Sequence, residues 1–379
     1  MRWHRSWVTN RRQSRRDVLF HIPTASALVR RVRPASSGGA ENQVLILARE
    51  LARRGFHVGI ATLDDDYGLR AQIDGVDVIA QAASPTDAPV IRTVIFWMRL
   101  ASTLITNPST VIVQRCANIH TAPVALLARV LRRRFVFASS GVRDFDRAAW
   151  NRLHWWLFRF GVRLAGVVVV QTEEQVRLCH EHFGRRSVLI KSVAEPAQTP
   201  ASDPDSFLWV GRLSSHKQPL AYLELVRALP DARFRMVAVE PAPNEDGVDV
   251  AELTRIAATL PNLELCPPRQ RHELVPLYES AVAVVSTSVS EGMPNVFLEG
   301  WSRGVPALAL THDPDGVIER HRLGAFADGS PERLAELARR LWERRNDRDE
   351  LASRCRRYVV REHALEQVAD GWVEALGLV

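Results

Sequence analysis

Two glutamates near the C-terminal end of the chain are the residues best placed for chemistry. Glu291 and Glu299 have seven residues between them, Gly-Met-Pro-Asn-Val-Phe-Leu. The apolar run 281–285 predicts a buried strand, and the glycine and proline predict a turn before a helix that starts at Asn295. Both carboxylates are then expected to face the crevice where open α/β sheets bind ligands. An ordinary pair of surface glutamates is the alternative.

A cationic loop upstream is a second candidate site. Gly211, Arg212 and Lys217 follow a short apolar strand at 207–210 and precede a helical pattern. A helix N terminus that carries a guanidinium and an ammonium is suited to bind a diphosphate. Of the fifty Lys and Arg residues only Lys191 and Lys217 are lysines. We therefore predict a diphosphate site here, and a solvated basic turn is the alternative.

With these residues in order, the chain resembles GT-B glycosyltransferases of the retaining family 4 (glycosyltransferases group 1) type. The resemblance rests on Gly211, Arg212, Lys217, the run Ser290-Glu291-Gly292-Met293-Pro294-Asn295, and Glu299. It extends to Gly38-Gly39 before the first long helix and covers nearly the whole chain after the first sixteen residues. It implies an α/β fold of two doubly wound Rossmann-like domains with the active site in the cleft between them.

The resemblance also implies a role for each end of a nucleotide-sugar donor. Arg212 and Lys217 would stabilise the departing diphosphate, Glu291 would hold the donor sugar, and Glu299 would bind the ribose hydroxyls. Transfer would retain the anomeric configuration without a protein nucleophile, and no metal or other cofactor is expected. The predicted donor-binding residues are Gly38, Gly39, Gly211, Arg212, Lys217, Glu291, Gly292, Met293, Pro294, Asn295, Val296 and Glu299.

The first half departs from the family pattern. Related enzymes often carry a histidine after the fifth strand, where this chain reads Ser139-Ser140-Gly141-Val142-Arg143-Asp144. Asp144 or Arg143 is predicted to serve in its place, and Asp144 joins Glu291, Arg212 and Lys217 as a candidate catalytic residue. The family resemblance does not identify the acceptor of this chain. Our hypothesis is a glycan or lipid-linked acceptor in polysaccharide or glycolipid biosynthesis, and Arg143 and the basic first half suggest that it is phosphorylated.

Charge is distributed unevenly along the chain. Residues 1–16 carry six arginines and no acid, residues 17–200 carry 22 arginines and one lysine against 15 acids, and residues 201–379 carry 21 basic residues against 28 acids. A basic first half predicts an anionic partner.

Aromatic residues indicate which partner this is. The segments around Trp97 and Trp155-Trp156 mix aromatic and basic residues, which is typical of a lipid headgroup layer. We therefore predict contact with an anionic membrane surface and no nucleic acid. The alternative, in which these aromatics fill a core and the arginines form its rim, stays open.

Composition bounds the class and the compartment. Hydrophobic residues make up 46% and charged residues 25% of the chain, as in globular proteins, and no apolar run approaches eighteen residues. The four scattered cysteines, without a CxxC pair, favour a reducing cytoplasm over a disulfide framework or a zinc site. The expected location is cytoplasmic, with peripheral contact to the inner face of the cell membrane.

Alternating strands and helices predict the domain organisation. The expected parts are a disordered basic arm at 1–16, an acceptor-side domain at 17–195, a proline-rich linker at 196–205, a nucleotide-sugar domain at 206–362, and a C-terminal helix at 363–379 that packs back on the first domain.

Two other functional classes remain open. A nucleotide-sugar epimerase on the same architecture would need the donor site and no acceptor. A basic nucleic-acid-binding protein would bind duplex in a salt-dependent manner, but it would leave the acidic second half unexplained.

Overall fold

The computed structural model describes residues 15–25, 38–63, 70–81, 89–195, 197, 203–241 and 246–378. Its first sheet has the strand order β3-β4-β2-β1-β5-β6-β7-β8. These strands are β1 (Arg16–His21), β2 (Val58–Leu63), β3 (Arg70–Ile73), β4 (Val76–Gln81), β5 (Ser109–Arg115), β6 (Arg134–Ala138), β7 (Val167–Val170) and β8 (Val188–Leu189).

The second sheet has the order β11-β10-β9-β12-β13-β14. Its strands are β9 (Ser206–Arg212), β10 (Phe234–Val239), β11 (Leu263–Cys266), β12 (Ala281–Ser286), β13 (Ala307–Ala309) and β14 (Gly324–Phe326).

Helices connect the strands in both halves. In the first half they are α1 (Gly39–Arg53), α2 (Pro89–Thr106), α3 (Thr121–Val130), α4 (Arg152–Leu164) and α5 (Glu173–Phe183). In the second half they are α6 (Pro219–Ala228), α7 (Val250–Ala257), α8 (Val275–Glu279), α9 (Asn295–Ser302), α10 (Val317–His321), α11 (Pro331–Glu343), α12 (Asp349–Glu362) and α13 (Leu365–Leu376).

Each sheet reverses its strand order at one point, between β1 and β5 in the first and between β9 and β12 in the second. Parallel strands are buried on both faces and therefore read as continuous apolar runs, as in β12, where all six residues are buried. Such sheets bind ligands outside the carboxyl ends of the strands at the point of reversal. The predicted fold of two doubly wound Rossmann-like domains is confirmed.

The sequence interpretation missed two short strands, β3 and β14. Strand β3 pairs antiparallel with β4 through a turn at Asp74 and Gly75, whose φ angles are 50° and 82°. An Asp-Gly pair with both φ angles positive is a strong hairpin signal, so β3 was within reach of sequence reasoning. Strand β14 has three residues, too few for a periodic pattern.

The first strand begins earlier than predicted. Arg16, the last residue assigned to the basic arm, lies in β1, and its guanidinium forms an ion pair of 2.6 Å with Asp77. This pair explains why a charged residue is tolerated in a buried strand. The rest of the arm, 1–14, and most of the predicted linker, 196 and 198–202, lie outside the described residues.

The C-terminal end of the chain returns to the first sheet. Helix α13 buries Val368, Ala369 and Trp372 in the same hydrophobic cluster as strand β1. At the point of return the buried His363 donates from Nδ1 to the carbonyl of Ser192, at 2.7 Å. The last helix therefore closes the core of the first half.

Helices α2, α3 and α4 cover one face of the first sheet and present an apolar outer surface. Their sequences contain six arginines and no acid. Trp97 and Trp156 are 40% and 60% exposed, whereas Trp150 stacks on the buried Phe158 at 5.3 Å. We call this surface the α2–α4 face. Its exposed apolar residues are Ile91, Val94, Trp97, Met98, Ile105, Leu126, Val130, Leu153, Trp156 and Phe160.

Candidate active site

A cavity of about 850 Å³ lies between the carboxyl ends of the two sheets. Residues that are far apart in sequence meet there because both points of strand reversal open onto it. The structure brings together around it every predicted site residue: Gly38, Gly39, Asp144, Gly211, Arg212, Lys217, Glu291, Gly292, Met293, Pro294, Asn295, Val296 and Glu299.

Two hydrogen bonds hold the cationic loop against the end of β12. The carbonyl of Lys217 accepts from the hydroxyl of Thr287 at 2.6 Å, and the carbonyl of His216 accepts from the amide of Val289 at 2.9 Å. The Thr287 hydroxyl in turn accepts from the indole of Trp209, at 3.1 Å. The backbone of Lys217 is therefore positioned before any ligand binds.

Lys217 and Glu291 form an ion pair across the cleft floor. Their side chains are 23% and 18% exposed, so solvent screens the pair only in part. Burial raises the pKa of the Glu291 carboxyl, but the charge and the hydrogen bond of Lys217 outweigh it, and the pKa lies below its usual value. Glu291 is therefore ionised at neutral pH and is suited to accept hydrogen bonds.

Glu299 lies on α9 and has a partner that sequence reasoning missed. Its carboxylate pairs with Arg271 at 2.9 Å, and Arg271 also contacts Glu195 at 3.4 Å. Beneath them, burial and the charge of Glu299 raise the pKa of the Tyr278 hydroxyl well above its usual value. The basic loop that follows β11 was the available signal for Arg271. The pair fixes the orientation of the Glu299 carboxylate.

Helix α9 connects the cleft to the first domain. Pro294 precedes it, and no described side chain caps its N terminus, so a partial positive charge remains at the cavity. The Asn295 amide oxygen accepts from Nε2 of Gln43, at 2.7 Å. A β-carbon on Gly39 would lie 1.9 Å from Nδ2 of Asn295, so only glycine permits this approach.

The loop at Glu291 also leans on the first domain. The Glu291 carbonyl accepts from the amide of Val142 at 3.4 Å, and a β-carbon on Gly292 would lie 3.0 Å from the carbonyl of Ser140. Met293 is buried in the second-domain core. The segment therefore forms a floor of the cavity that contacts both domains, and Glu291 lines the cavity.

Asp144, a predicted catalytic residue, lines the cavity and accepts hydrogen bonds from its own domain. Its carboxylate accepts from the amide of Ser140 at 2.6 Å, the hydroxyl of Ser139 at 3.0 Å and the amide of Ala117 at 3.2 Å. A carboxylate that accepts several such hydrogen bonds fixes the conformation of its loop. The structure therefore shows the Asp144 carboxylate held within its own domain beside the cavity, and its catalytic role stays a prediction.

Arg143, the other candidate for the missing histidine, reaches across the cleft. Its Nη1 lies 2.9 Å from Nδ1 of His216 in the cationic loop. Arg143 thus contacts the second-domain side of the cleft, although it belongs to the first domain.

The described residues contain no cluster of three or more His, Cys, Asp or Glu side chains that could hold a metal ion. All four cysteines are free. No helix in the described part of the chain is long and apolar enough to cross a membrane.

Solved structures with the same fold are similar over nearly the whole chain. Sucrose-phosphate synthase from Thermosynechococcus elongatus superposes with a TM-score of 0.77 and 16% identity, covering 96% of this chain and 99% of that one. Anabaena Alr3699/HepE in complex with UDP-glucose gives a TM-score of 0.73 and 15% identity over 96% of this chain and 100% of that one. At these identities the likeness shows the fold alone.

Sequence comparison shows the family. Residues 38–191 match the glycosyl transferase 4-like domain, and residues 204–344 match the glycosyl transferases group 1 model. D-inositol 3-phosphate glycosyltransferase from Frankia alni is 34% identical over 180 residues, 42% of this chain and 43% of that protein. The same-named protein from Nocardiopsis dassonvillei is 27% identical over 239 residues, 49% of this chain and 55% of that protein. The matches span about half the length of these two relatives. The two family models place the chain among the group 1 glycosyltransferases of the GT-B fold.

Proposed function

We propose that the chain transfers a hexose, with retention of configuration, from a nucleotide-diphosphate sugar to a hydroxyl of a glycan or lipid-linked acceptor. One observation carries the proposal. The ion pairs of Lys217 with Glu291 and of Arg271 with Glu299 flank a single cavity that also contains Arg212. A diphosphate, a sugar and a ribose need this combination of cations and carboxylates.

In the proposed reaction the ammonium of Lys217 leaves the carboxylate of Glu291 and pairs with the diphosphate of the donor. The bond between the sugar carbon and the diphosphate oxygen breaks, its electron pair stays on the diphosphate, and Arg212 and Lys217 stabilise the charge. Glu291, released from Lys217, accepts hydrogen bonds from the sugar hydroxyls. The acceptor oxygen forms the new bond to the sugar carbon, and its proton goes to the departing phosphate. No metal ion takes part in this scheme.

Glu299 is proposed to bind the ribose. Arg271 holds its carboxylate at one oxygen, and the hydroxyls of a ribose can donate to the other. This division of labour assigns Glu291 and Glu299 to opposite ends of one donor. It also explains why the two carboxylates are not used as the acid and base pair of a hydrolase.

A thermal-shift screen of nucleotide-sugars tests the donor site. UDP-glucose, GDP-mannose or a related donor should raise Tm, because a ligand that binds only the native state stabilises it. Arg212→Ala and Glu299→Ala should lose the shift. Arg227→Ala and Glu336→Ala are matched controls, since both remove a charge from an exposed helical ion pair. Stabilisation by no nucleotide-sugar would contradict the proposal.

Incubation with the donor alone separates transfer from epimerisation. A glycosyltransferase leaves most donor intact until an acceptor is added, whereas an epimerase converts it without one. Conversion of the sugar configuration in the absence of acceptor would favour the epimerase.

We further propose that the α2–α4 face contacts an anionic membrane surface from the cytoplasmic side. It combines ten exposed apolar side chains with helices that contain six arginines and no acid. Apolar burial and attraction to anionic headgroups together anchor interfacial helices. This contact would bring the cleft to a lipid-linked acceptor in glycolipid or polysaccharide biosynthesis. Sedimentation with vesicles tests it.

A further inference from the structure

Arg115 is a buried cation in the first-domain half of the cleft. It ends strand β5, is 5% exposed and lines the cavity. Its Nε is buried without a hydrogen-bond partner among the described residues. Burying a cation that lacks a full set of partners costs free energy, and an arginine cannot escape the cost by losing its proton. Arg115 is therefore expected to lower the stability of the folded chain when no ligand is bound.

The carboxylates around Arg115 have other partners. Asp144 accepts from the serine loop and from Ala117, and Glu41 accepts from the hydroxyl of Thr24 at 2.5 Å. Both act on Arg115 through their charge, while burial lowers its pKa. No ion pair of Arg115 occurs within the described parts of the chain. The countercharge of this guanidinium is thus incomplete.

The location of Arg115 suggests what completes it. Strand β5 adjoins β1 at the point where the first sheet reverses its order, which is where such sheets bind ligands. The next residue, Cys116, has a φ of 69°, a conformation that costs energy in residues other than glycine. The start of α1 lines the same cavity. The strained backbone of Cys116 and the buried cation of Arg115 are therefore adjacent, and such features cluster at binding sites.

We propose that Arg115 binds an anionic group, phosphate or carboxylate, on the acceptor substrate. A guanidinium matches the paired oxygens of either group and gains most when solvent is excluded. The donor diphosphate has its own cations, Arg212 and Lys217, on the opposite side of the cleft. The acceptor is therefore a phosphorylated or acidic sugar or polyol. This inference rests on the proposed function, because it assumes an acceptor at this site.

Matched acceptor pairs test the assignment. Calorimetry on the full chain, with and without UDP, compares glucose with glucose 6-phosphate, glucose with glucuronate, and inositol with inositol 1-phosphate. One anionic member should bind at least about 10-fold more tightly than its neutral partner, the size expected for a charged hydrogen bond. In Arg115→Gln the affinities of the anionic and the neutral member should differ by no more than about 2-fold. Arg115→Lys should keep part of the preference for the anionic member. Phosphate and carboxylate are distinguished by which pair responds.

Several outcomes would overturn the inference. These are an unchanged ratio in Arg115→Gln, equal binding of both members of every pair to the wild-type chain, or a loss of UDP binding with acceptor binding intact, which would assign Arg115 to the donor. Failure of the proposed function looks different, because the wild-type chain would then bind no nucleotide-sugar while the anion preference could persist.

Stability separates a binding role from a structural one. Because Arg115→Gln removes an incompletely paired buried charge, Tm should stay equal or rise. If Arg115 only supports the fold, Arg115→Gln and Arg115→Lys should both lower Tm and leave the binding ratios alone, which also contradicts the proposal.

Discussion

The two halves of the cleft treat their cations differently. In the second-domain half, Lys217 pairs with Glu291 and Arg271 pairs with Glu299. In the first-domain half, Arg115 is buried with Nε unsatisfied by any described residue. Lys217 and Arg271 therefore have carboxylate partners without a ligand, whereas Arg115 has no ion-pair partner among the described residues and is proposed to gain one from a bound anion.

This difference concerns how binding energy is used. An anion that enters the second-domain half must compete with a carboxylate, so part of its binding energy separates the existing pair. An anion that reaches Arg115 displaces no partner of Nε that belongs to the described residues. A balanced site can release its product readily, whereas an unbalanced one can discriminate between charged and neutral ligands.

The outer faces of the two halves differ in the same sense. Helices α11 and α12 of the second half carry exposed pairs such as Arg340 with Glu336 and Arg354 with Glu350. The α2–α4 face has arginines without acids in its helices. The first half thus combines a buried arginine in the cleft with a basic outer face.

The largest expected effect follows from loss of the diphosphate cation. Lys217→Ala should lower kcat by about 10²–10³, because a preorganised charge at the leaving group is removed. Lys191→Ala is the matched control, since the only other lysine pairs with Glu362 away from the cavity. Initial rates with saturating donor measure both. Equal losses in the two variants would show that Lys217 has no special role.

Membrane attachment should respond next. The double variant Met98→Glu/Trp156→Glu should bind phosphatidylglycerol vesicles at least about 10-fold more weakly in a sedimentation assay. It replaces two exposed apolar side chains with carboxylates, which have the same sign of charge as the lipid. Val360→Glu changes an apolar residue that is 70% exposed on the second half and should have no effect. Equal binding of all three proteins would remove the distinction between the outer faces.

A smaller effect is expected at the ribose end. Arg271→Ala should weaken donor binding by about 10-fold, since Glu299 loses the partner that orients it. Calorimetry with the donor and with its sugar 1-phosphate, which lacks the nucleoside, should show the loss only for the donor. A loss of equal size for both ligands would mean that Arg271 does not act through the ribose.

The last prediction concerns stability, at the point where the chain returns to the first half. Burial lowers the pKa of His363 to about 4, so the unfolded chain, with a value near 6.5, takes up the proton first as pH falls. The contribution of neutral His363 to the free energy of unfolding is intact above pH 6.5 and declines as the pH falls towards 4. At pH 5 the free energy of unfolding is lower by roughly 2 kcal/mol. Denaturant unfolding of wild type and His363→Gln should show a shallower decline in the variant. Parallel curves would contradict the assignment.

Sequence reasoning succeeded where ligand-facing residues are close together in the chain. Glu291 to Glu299 lie in one loop and the helix after it, and strand and helix patterns were enough to predict that both face the cleft. Arg271 and Arg115 were missed because their importance depends on partners: a carboxylate from another element in one case, and the incomplete set of partners in the other. Such features have no periodic pattern.

The same limit explains the outcome for Asp144. Its type and position agree with a catalytic residue, but its oxygens are engaged by donors from two separate segments. Likewise, helical periodicity could not tell that Trp156 is exposed while Trp150 stacks on Phe158, because that depends on which neighbour covers each helix.

The sequence by itself determined the two-domain α/β fold, the family and the second-domain residues that line the cavity, because apolar runs, turn residues and a contiguous motif are local properties. Only the tertiary structure decided which charges are paired. Ion pairing and burial depend on distances between segments that meet when the two sheets face each other across the cleft. These distances give Lys217 and Arg271 carboxylate partners and leave Nε of Arg115 without a hydrogen-bond partner among the described residues.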